Sequence, residues 1–418
     1  MDNNLIYYFI ILFWNLQEQK QNAKPAIYLH FGKYYFIIRM LGNTAALRRN
    51  IFHEGRNNMA KAYRILAINP GSTSTKVGVY DGEKKVFEGV VRHTAEELAK
   101  CGSIIDQAPM RMALIKDLLK EHNVDLRTVD AFIGRGGIVK PMKSGVYTVN
   151  DTLLYDLKNL PSAQRHASAL GGIFARELGD EYGKPCFIAD PVVVDERNEI
   201  AKVTGLPDVT RTCVFHCLNQ KASARMYCRE HGKKYNDVNL IVAHMGGGIS
   251  VGAHEKGVVI DVNDGIAGEG PFSPERTGGI PVKLVLDMVY SGKYTKEQLY
   301  GFCSKAGGFV AHMGTNSALD VEKAMLAGDE KAKMVFEALA YNVAKTIGEM
   351  ATVLKGTAEA IILTGGLAYS KPLCAYIKNM VGFIAPVVVY PGESELEALV
   401  GGAIRVLSGE EEARAYGE

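Results

Sequence analysis

Short apolar runs recur along the chain, separated by polar turns rich in glycine and hydroxyl side chains. Arg64–Ile68 reads as a strand, followed by the turn Asn69-Pro70-Gly71-Ser72-Thr73-Ser74-Thr75-Lys76, a second run Val77–Tyr80 and a turn at Asp81-Gly82. The spacing predicts strand, turn, strand. The pattern returns 175 residues later: Leu240–Ala243, the turn His244-Met245-Gly246-Gly247-Gly248-Ile249-Ser250, then Val251–His254 and Lys256-Gly257. Gly71 aligns with Gly246, and Gly82 with Gly257, at one offset. A hairpin written twice predicts a duplicated domain. A third turn, Thr364-Gly365-Gly366-Leu367, follows the apolar run Ala360–Leu363, and the periodicity of Glu337–Leu354 predicts a helix before it. The first half has an echo in helix Met110–Glu121, strand Ala131–Ile133 and the turn Gly134-Arg135-Gly136-Gly137. The expected fold is α/β, with two similar lobes whose mixed sheets face one cleft.

The first 58 residues differ from the rest. They hold 11 of the 36 aromatic residues, including the only tryptophan, Trp14, and carry seven Lys/Arg against three Asp/Glu. Residues 59–418 carry 41 against 43, so the small net charge of +2 comes from this segment. Its apolar run Leu5–Trp14 is ten residues long, and a spanning helix needs about 20. The expectation is that residues 1–58 are not part of the native protein and that Met59 is the true start, with a membrane-surface anchor as the competing reading. The remaining 360 residues suit two domains.

Composition narrows the class further. The near-neutral balance argues against a nucleic-acid or polybasic membrane surface. Seven cysteines, an odd number without any C-x-x-C, read as free thiols of a reducing cytoplasm. Gly is 44 of 418 residues, enough to ask what the glycine turns do. Turns of Gly, Ser and Thr let backbone N–H groups approach phosphate oxygens, and the hydroxyls add donors. Two such turns related by a repeat, with a Gly-Gly turn downstream, point to nucleotide binding. No Walker A, dinucleotide or protein-kinase signature is present. Asp261-Val262-Asn263-Asp264 resembles half a calcium loop without its glycine or closing glutamate and is read as a turn.

With these residues in view, the chain resembles the acetate and butyrate kinase family of the actin, Hsp70 and sugar-kinase superfamily. Asn69–Lys76 and Ala243–Gly248 resemble its two phosphate loops, and Thr364-Gly365-Gly366 its adenosine motif. N-P-G-S-T-S-T and H-M-G-G-G favour the butyrate side of the family, as do Arg135-Gly136-Gly137, Ala189–Glu196 and Ser273–Gly278. The resemblance covers 59 to about 408. It implies the actin-like, ribonuclease H-like fold: a first lobe of 59–191 completed by a C-terminal helix in 396–418, and a second, nucleotide-binding lobe of 192–395, around an interdomain cleft.

The implied reaction transfers the ATP γ-phosphoryl group to the carboxylate of butyrate, with branched-chain or acetate kinase as the near alternatives. A chaperone-like ATPase is the rival from another class. A carboxylate is ionised at pH 7, so the nucleophile needs positive charge, not a general base. By resemblance, Arg135 holds the acid and the transferring group, Arg276 is the second arginine, and His216 steadies the transition state. His244 opens the second loop, His166 supports the acyl site, and Asp190 stands near the metal and catalytic arginine. Asn69, Gly71, Ser72, Thr73, Ser74, Lys76, His244, Gly246, Gly247, Gly248, Gly365 and Gly366 are expected around the nucleotide. Mg²⁺ is expected near Asn69 and Glu395, with Glu393 and Glu397 also open because the register is uncertain by two positions. A cytoplasmic homo-oligomer, without nucleic acid or membrane, completes the expectation.

Overall fold

The computed structural model describes residues 27–31, 34–38, 62–161 and 166–417. It divides into two units, Met1–Ala62 and Tyr63–Glu418. The first unit contains a hairpin of β1 (Ile27–Phe31) and β2 (Tyr34–Ile38), with Ile27 opposite Ile38. The run Leu5–Trp14 lies outside the described residues.

In the second unit, β3 (Arg64–Pro70), β4 (Ser74–Asp81) and β5 (Lys84–Arg92) form an antiparallel meander. Next come β6 (Ala131–Gly134), β7 (Val146–Thr148) and β8 (Cys186–Ala189). They make one sheet, ordered β5-β4-β3-β6-β8-β7, in which β3, β6 and β8 run parallel. A second meander of β9 (Asn239–Met245), β10 (Ile249–Glu255) and β11 (Val258–Val262) continues into β12 (Ala360–Gly365) and β13 (Val387–Pro391). The second sheet is ordered β11-β10-β9-β12-β13, with β9, β12 and β13 parallel.

The sheets repeat each other: three antiparallel strands, a helix, a parallel strand, a helix, a parallel strand. Even the irregularity repeats, because the second and third strands of each meander shift register, at Val79/Tyr80 and at Ala253/His254. The aligned Gly82 and Gly257 both take positive φ, 60° and 87°, at the hairpin turns, a conformation glycine adopts at little cost. β6, β8 and β12 are buried throughout. Central parallel strands are covered on both faces, which is why they read as continuous apolar runs.

The helices follow the same logic. Glu330–Val353 begins at Asp329, whose side chain accepts from Ala332 N, and it buries Val335, Phe336, Leu339, Val343 and Ile347 on one stripe. Helix Glu395–Leu407 lays Leu396, Leu399, Val400 and Ala403 against Ile65, Ala67, Ile133 and Phe187 of the first sheet. Two features differ from the sequence reading. The three-residue β7 adds an edge strand too short to show alternation. Asp261 and Val262 finish β11 instead of forming a turn; Asn263 Oδ1 then accepts from Val251 N at 2.7 Å, and the Asp264 carboxylate accepts from Val214, Ile266 and Ala267 N–H groups.

Candidate active site

The parallel strands of both sheets deliver their C-terminal ends to one region, as ligand sites of open α/β sheets do. β3 ends at Asn69-Pro70, β6 at Gly134 before Arg135, β9 at His244-Met245, β12 at Thr364-Gly365 and β13 at Pro391 before Glu393. A cavity of about 400 Å³ lies there. Of the residues expected in the site, Asn69, Gly71, Ser74, Lys76, Arg135, His166, His216, Arg276 and Glu395 line it.

Missing side chains fix where Arg135 emerges. A Cβ on Gly134 would stand 2.8 Å from the Gly171 Cα, and one on Gly171 would stand 3.1 Å from the Arg135 Cα. Helix Ala169–Tyr182 therefore lies directly on the end of β6. The Arg135 guanidinium pairs with Glu395, whose other carboxylate oxygen accepts from the Asn69 amide. The three glutamates of this segment have different neighbours. Glu395 meets Arg135, Glu393 stands 3.9 Å from His244 Nε2, and Glu397 turns away to Tyr80 and Lys85.

Arg276 is placed by the second glycine turn. A Cβ on Gly248 would stand 2.8 Å from the Arg276 Cζ, so the third glycine of the turn makes room for the guanidinium. Arg276 Nη1 donates to Gly265 O at 2.5 Å, while its buried Nε has no partner among the described residues. Burial pulls its pKa down, though not enough to neutralise an arginine. An arginine so thinly satisfied is ready for an anion.

The hydrogen bonds assign the tautomer of His216. Gln220 Nε2 donates to Ser250 O at 3.0 Å and to Ser250 Oγ at 2.9 Å, and His216 N also donates to that hydroxyl. The hydroxyl hydrogen is thus left for His216 Nδ1, 2.9 Å away, and the ring proton belongs on Nε2. Asn219 Nδ2 donates to Glu393 O, so its Oδ1 accepts from His244 Nδ1 at 2.7 Å. The two rings stack with centroids 3.8 Å apart and planes 13° apart. Burial pushes the His216 pKa well below its ordinary value, with His244, Arg276 and Arg135 adding to it. Burial likewise takes His244 to about 4. Both rings are neutral at pH 7.

This neutrality has a measurable cost. Below pH 6.5 the unfolded chain protonates these histidines while the native state cannot, until pH reaches the folded values. Stability therefore falls as pH drops from about 6.5 to about 4. A shift from the ordinary 6.5 to about 4 makes His244 alone worth about 3 kcal/mol across that window. Chemical denaturation at stepped pH checks this, and a flat stability curve from pH 7 to 5 would contradict it.

The carboxylates respond to their neighbours. Burial raises the Glu395 pKa, but Arg135 and the Asn69 hydrogen bond outweigh it and hold the carboxyl below its ordinary range. Crowding in the cleft and then the Glu395 charge push Glu393 up. Two carboxylates and an amide oxygen suit a hard cation that keeps most of its ligands from water and phosphates. The donor set fits Mg²⁺, although no group of three or more His, Cys, Asp or Glu converges among the described residues.

Other expected residues fall elsewhere. Asp190 does not line the cavity: its carboxylate accepts from Gly145 N at 2.8 Å and Arg225 Nη1 at 3.4 Å, behind a left-handed backbone at φ 40°. His244 is buried beneath His216. Ser72 and Thr73 are exposed at the tip of the first turn. Gly246 and Gly247, like Gly365 and Gly366, border the strand ends outside the cavity wall; Gly365, at φ 88°, packs on the Met245 backbone and exchanges hydrogen bonds with Gly392. The sequence reading missed Ser250, Asn219 and Gln220, polar groups that look like ordinary helix and strand positions, and the apolar wall of Ile138, Val192, Val214, Phe215 and Ile266.

The chain is similar to known proteins in sequence and in fold. The model of the acetokinase family matches residues 209–375. A probable butyrate kinase of Clostridium botulinum is 50% identical over 355 residues, covering 85% of this chain and all of that protein. The chain belongs to the acetokinase family. Butyrate kinase 1 of Clostridium acetobutylicum is 51% identical over 354 residues, 85% of this chain and 99% of that protein. Among solved structures, the acetate kinase of Porphyromonas gingivalis is similar over 83% of this chain and all of its own, with a TM-score of 0.66 at 18% identity. A propionate kinase from Francisella tularensis is similar over 81% and 98%, with a TM-score of 0.62 at 18% identity. These two share the fold.

Proposed function

We propose that the protein is a butyrate kinase, transferring the γ-phosphoryl group of ATP directly and reversibly to the carboxylate of butyrate. The observation that carries this reading is the set of groups around the cavity: Arg135, Arg276, and a neutral His216 presenting Nε2–H. No aspartate lines the cavity among the described residues; of its two glutamates, Glu395 is already bound by Arg135 and Asn69, and Glu393, 3.9 Å from His244 Nε2, goes with Glu395 to the cation. A hydroxyl acceptor would need a free carboxylate as base. An ionised acid needs only cations to let it approach an anionic phosphoryl group.

The roles follow. Arg135 exchanges Glu395 for the substrate carboxylate. Arg276, with an unspent N–H, binds phosphoryl oxygens as charge moves in the transition state. His216 donates to the same oxygens without adding a charge that would need neutralising. Asn69, Gly71, Ser74 and Lys76 face the phosphate chain. Glu395 and Glu393, with Asn69, would hold Mg²⁺, which would supply neutralising charge to the phosphates. Asp190, held by Arg225, supports the strand end next to the site. The Ile138, Val192, Val214, Phe215 and Ile266 wall takes the acyl chain, where each buried methylene contributes ~0.8 kcal/mol. Incubating the protein with butyryl phosphate and ADP tests the reading: ATP should form, and release of free phosphate without ATP would overturn it.

Self-association and a cytoplasmic place belong to the same proposal. The seven unpaired cysteines suit a reducing compartment. Helix Val282–Tyr290 is apolar yet buries nothing, with Val282 74% and Tyr290 84% exposed, and a face of this kind on an isolated chain is an interaction surface. Light scattering should give at least twice the 45.6 kDa chain mass, reduced to the single chain by Leu286→Lys. A monomeric unmodified protein would refute this.

A further inference from the structure

A cation lies beneath the first glycine turn. Arg111, in the first turn of helix Ala108–Glu121, is fully buried. Its Nη1 donates to Gly71 O at 2.8 Å and Thr75 Oγ1 at 3.3 Å, and its Nη2 to Ser72 O at 2.8 Å. Nε and Nη2 both reach Gln107 Oε1, at 3.1 and 2.8 Å. Every one of these acceptors is neutral. A buried cation without a carboxylate, at the positive end of a helix, is an expensive arrangement.

The rest of the turn shows what the arrangement achieves. Thr73 O accepts from His93 N at 2.9 Å, and Ser74 O accepts from Gly71 N at 2.7 Å. His93 Nε2 stands 3.0 Å from Thr75 Oγ1, closing the floor. All four carbonyls from Gly71 to Ser74 are therefore engaged on the protein side. What the turn can offer to a ligand is N–H and hydroxyl donors.

We propose that Arg111 is a positioning residue for the nucleotide phosphates, fastening the Gly71 and Ser72 carbonyls inward so that the donors of this turn face the phosphate chain. The inference rests on the kinase reading. It also leaves one positive charge, cancelled by no carboxylate, behind the turn. Arg111 does not line the cavity, so it acts on the phosphates through the turn and has no route to the acyl wall. A lysine cannot reproduce it, because one ammonium group cannot reach two carbonyls and Gln107 with the geometry of a planar fork.

Calorimetric titration of Arg111→Met and Arg111→Ala with a non-hydrolysable ATP analogue and with adenosine tests this. The analogue should bind at least about tenfold more weakly and adenosine within about twofold of the unmodified protein, as expected for lost charge-assisted hydrogen bonds to the turn. KM for butyrate should hold while KM for ATP rises, and millimolar guanidinium should restore analogue affinity to Arg111→Ala alone. If both variants fail to fold, Arg111→Lys carries the same comparison. Unchanged analogue affinity would overturn the inference. So would parallel weakening of analogue, adenosine and butyrate without guanidinium recovery. A protein that makes no butyryl phosphate, yet loses analogue affinity selectively in these variants, would refute the kinase reading and leave the role of Arg111 standing.

Discussion

Arg276→Ala will lower kcat about a thousandfold, the scale of an arginine that stabilises a transferring phosphoryl group, while KM for butyrate changes little. The reason is where its donors point. Its Nη1 spends one hydrogen on Gly265 O, and its Nε finds no acceptor among the described residues. Such a side chain contributes little to folding, because a buried donor without an acceptor is a cost. The variant should therefore unfold no earlier than the unmodified protein and lose activity regardless. Steady-state kinetics with a thermal melt on the same sample checks both halves. A lower melting temperature with kcat retained would assign Arg276 to the fold instead of the chemistry.

Arg135→Ala is expected to cost both activity and stability, and a second substitution separates the two. The Arg135–Glu395 pair is mostly sheltered, with 15% and 21% of the side chains exposed. Removing the arginine leaves a carboxylate stranded in the cleft, which should destabilise the protein by about 2 kcal/mol, less than a fully buried pair. It should also reduce kcat/KM for butyrate by about three orders of magnitude, since charge and bidentate geometry go together. In Arg135→Ala/Glu395→Gln the stranded charge is gone. Its melting temperature should recover while kcat/KM stays low. Because Glu395 is itself assigned to the cation, Glu395→Gln alone is the control for activity: its kcat/KM should exceed that of Arg135→Ala, and equal losses in the two single variants would make Arg135 a scaffold for Glu395 and nothing more.

Much of the fold was legible because duplication wrote it twice. Gly71 and Gly246, Gly82 and Gly257 stand at one offset, and the structure places each pair at equivalent points of two meanders. β7 was not legible, since three residues carry no period. The resemblance pointed to Arg135 and Arg276, which both line the cavity, but not to the groups they bond. Glu395 lies 260 residues from Arg135, and only the docking of helix Glu395–Leu407 on the first sheet brings them together.

Arg111 illustrates the opposite limit. An arginine in an amphipathic helix ordinarily snorkels to water, so nothing in the sequence marks it as buried under the phosphate turn. Asp190 shows a related limit. An aspartate at a strand end before proline looks the same whether it faces a ligand or, as here, Gly145 N–H and Arg225. The wall of Ile138, Val192, Val214, Phe215 and Ile266 comes from four separate loops, and its apolar residues are indistinguishable in sequence from core.

The central claim is phosphoryl transfer to a carboxylate, and trapping the product tests it most directly. Protein, Mg-ATP and hydroxylamine are incubated in turn with acetate, propionate, butyrate, isobutyrate and valerate, and hydroxamate is quantified. The account predicts hydroxamate in step with ADP, with butyrate ahead of acetate by roughly tenfold in kcat/KM from two further buried methylenes. Steady ADP release without hydroxamate from any acid would contradict it.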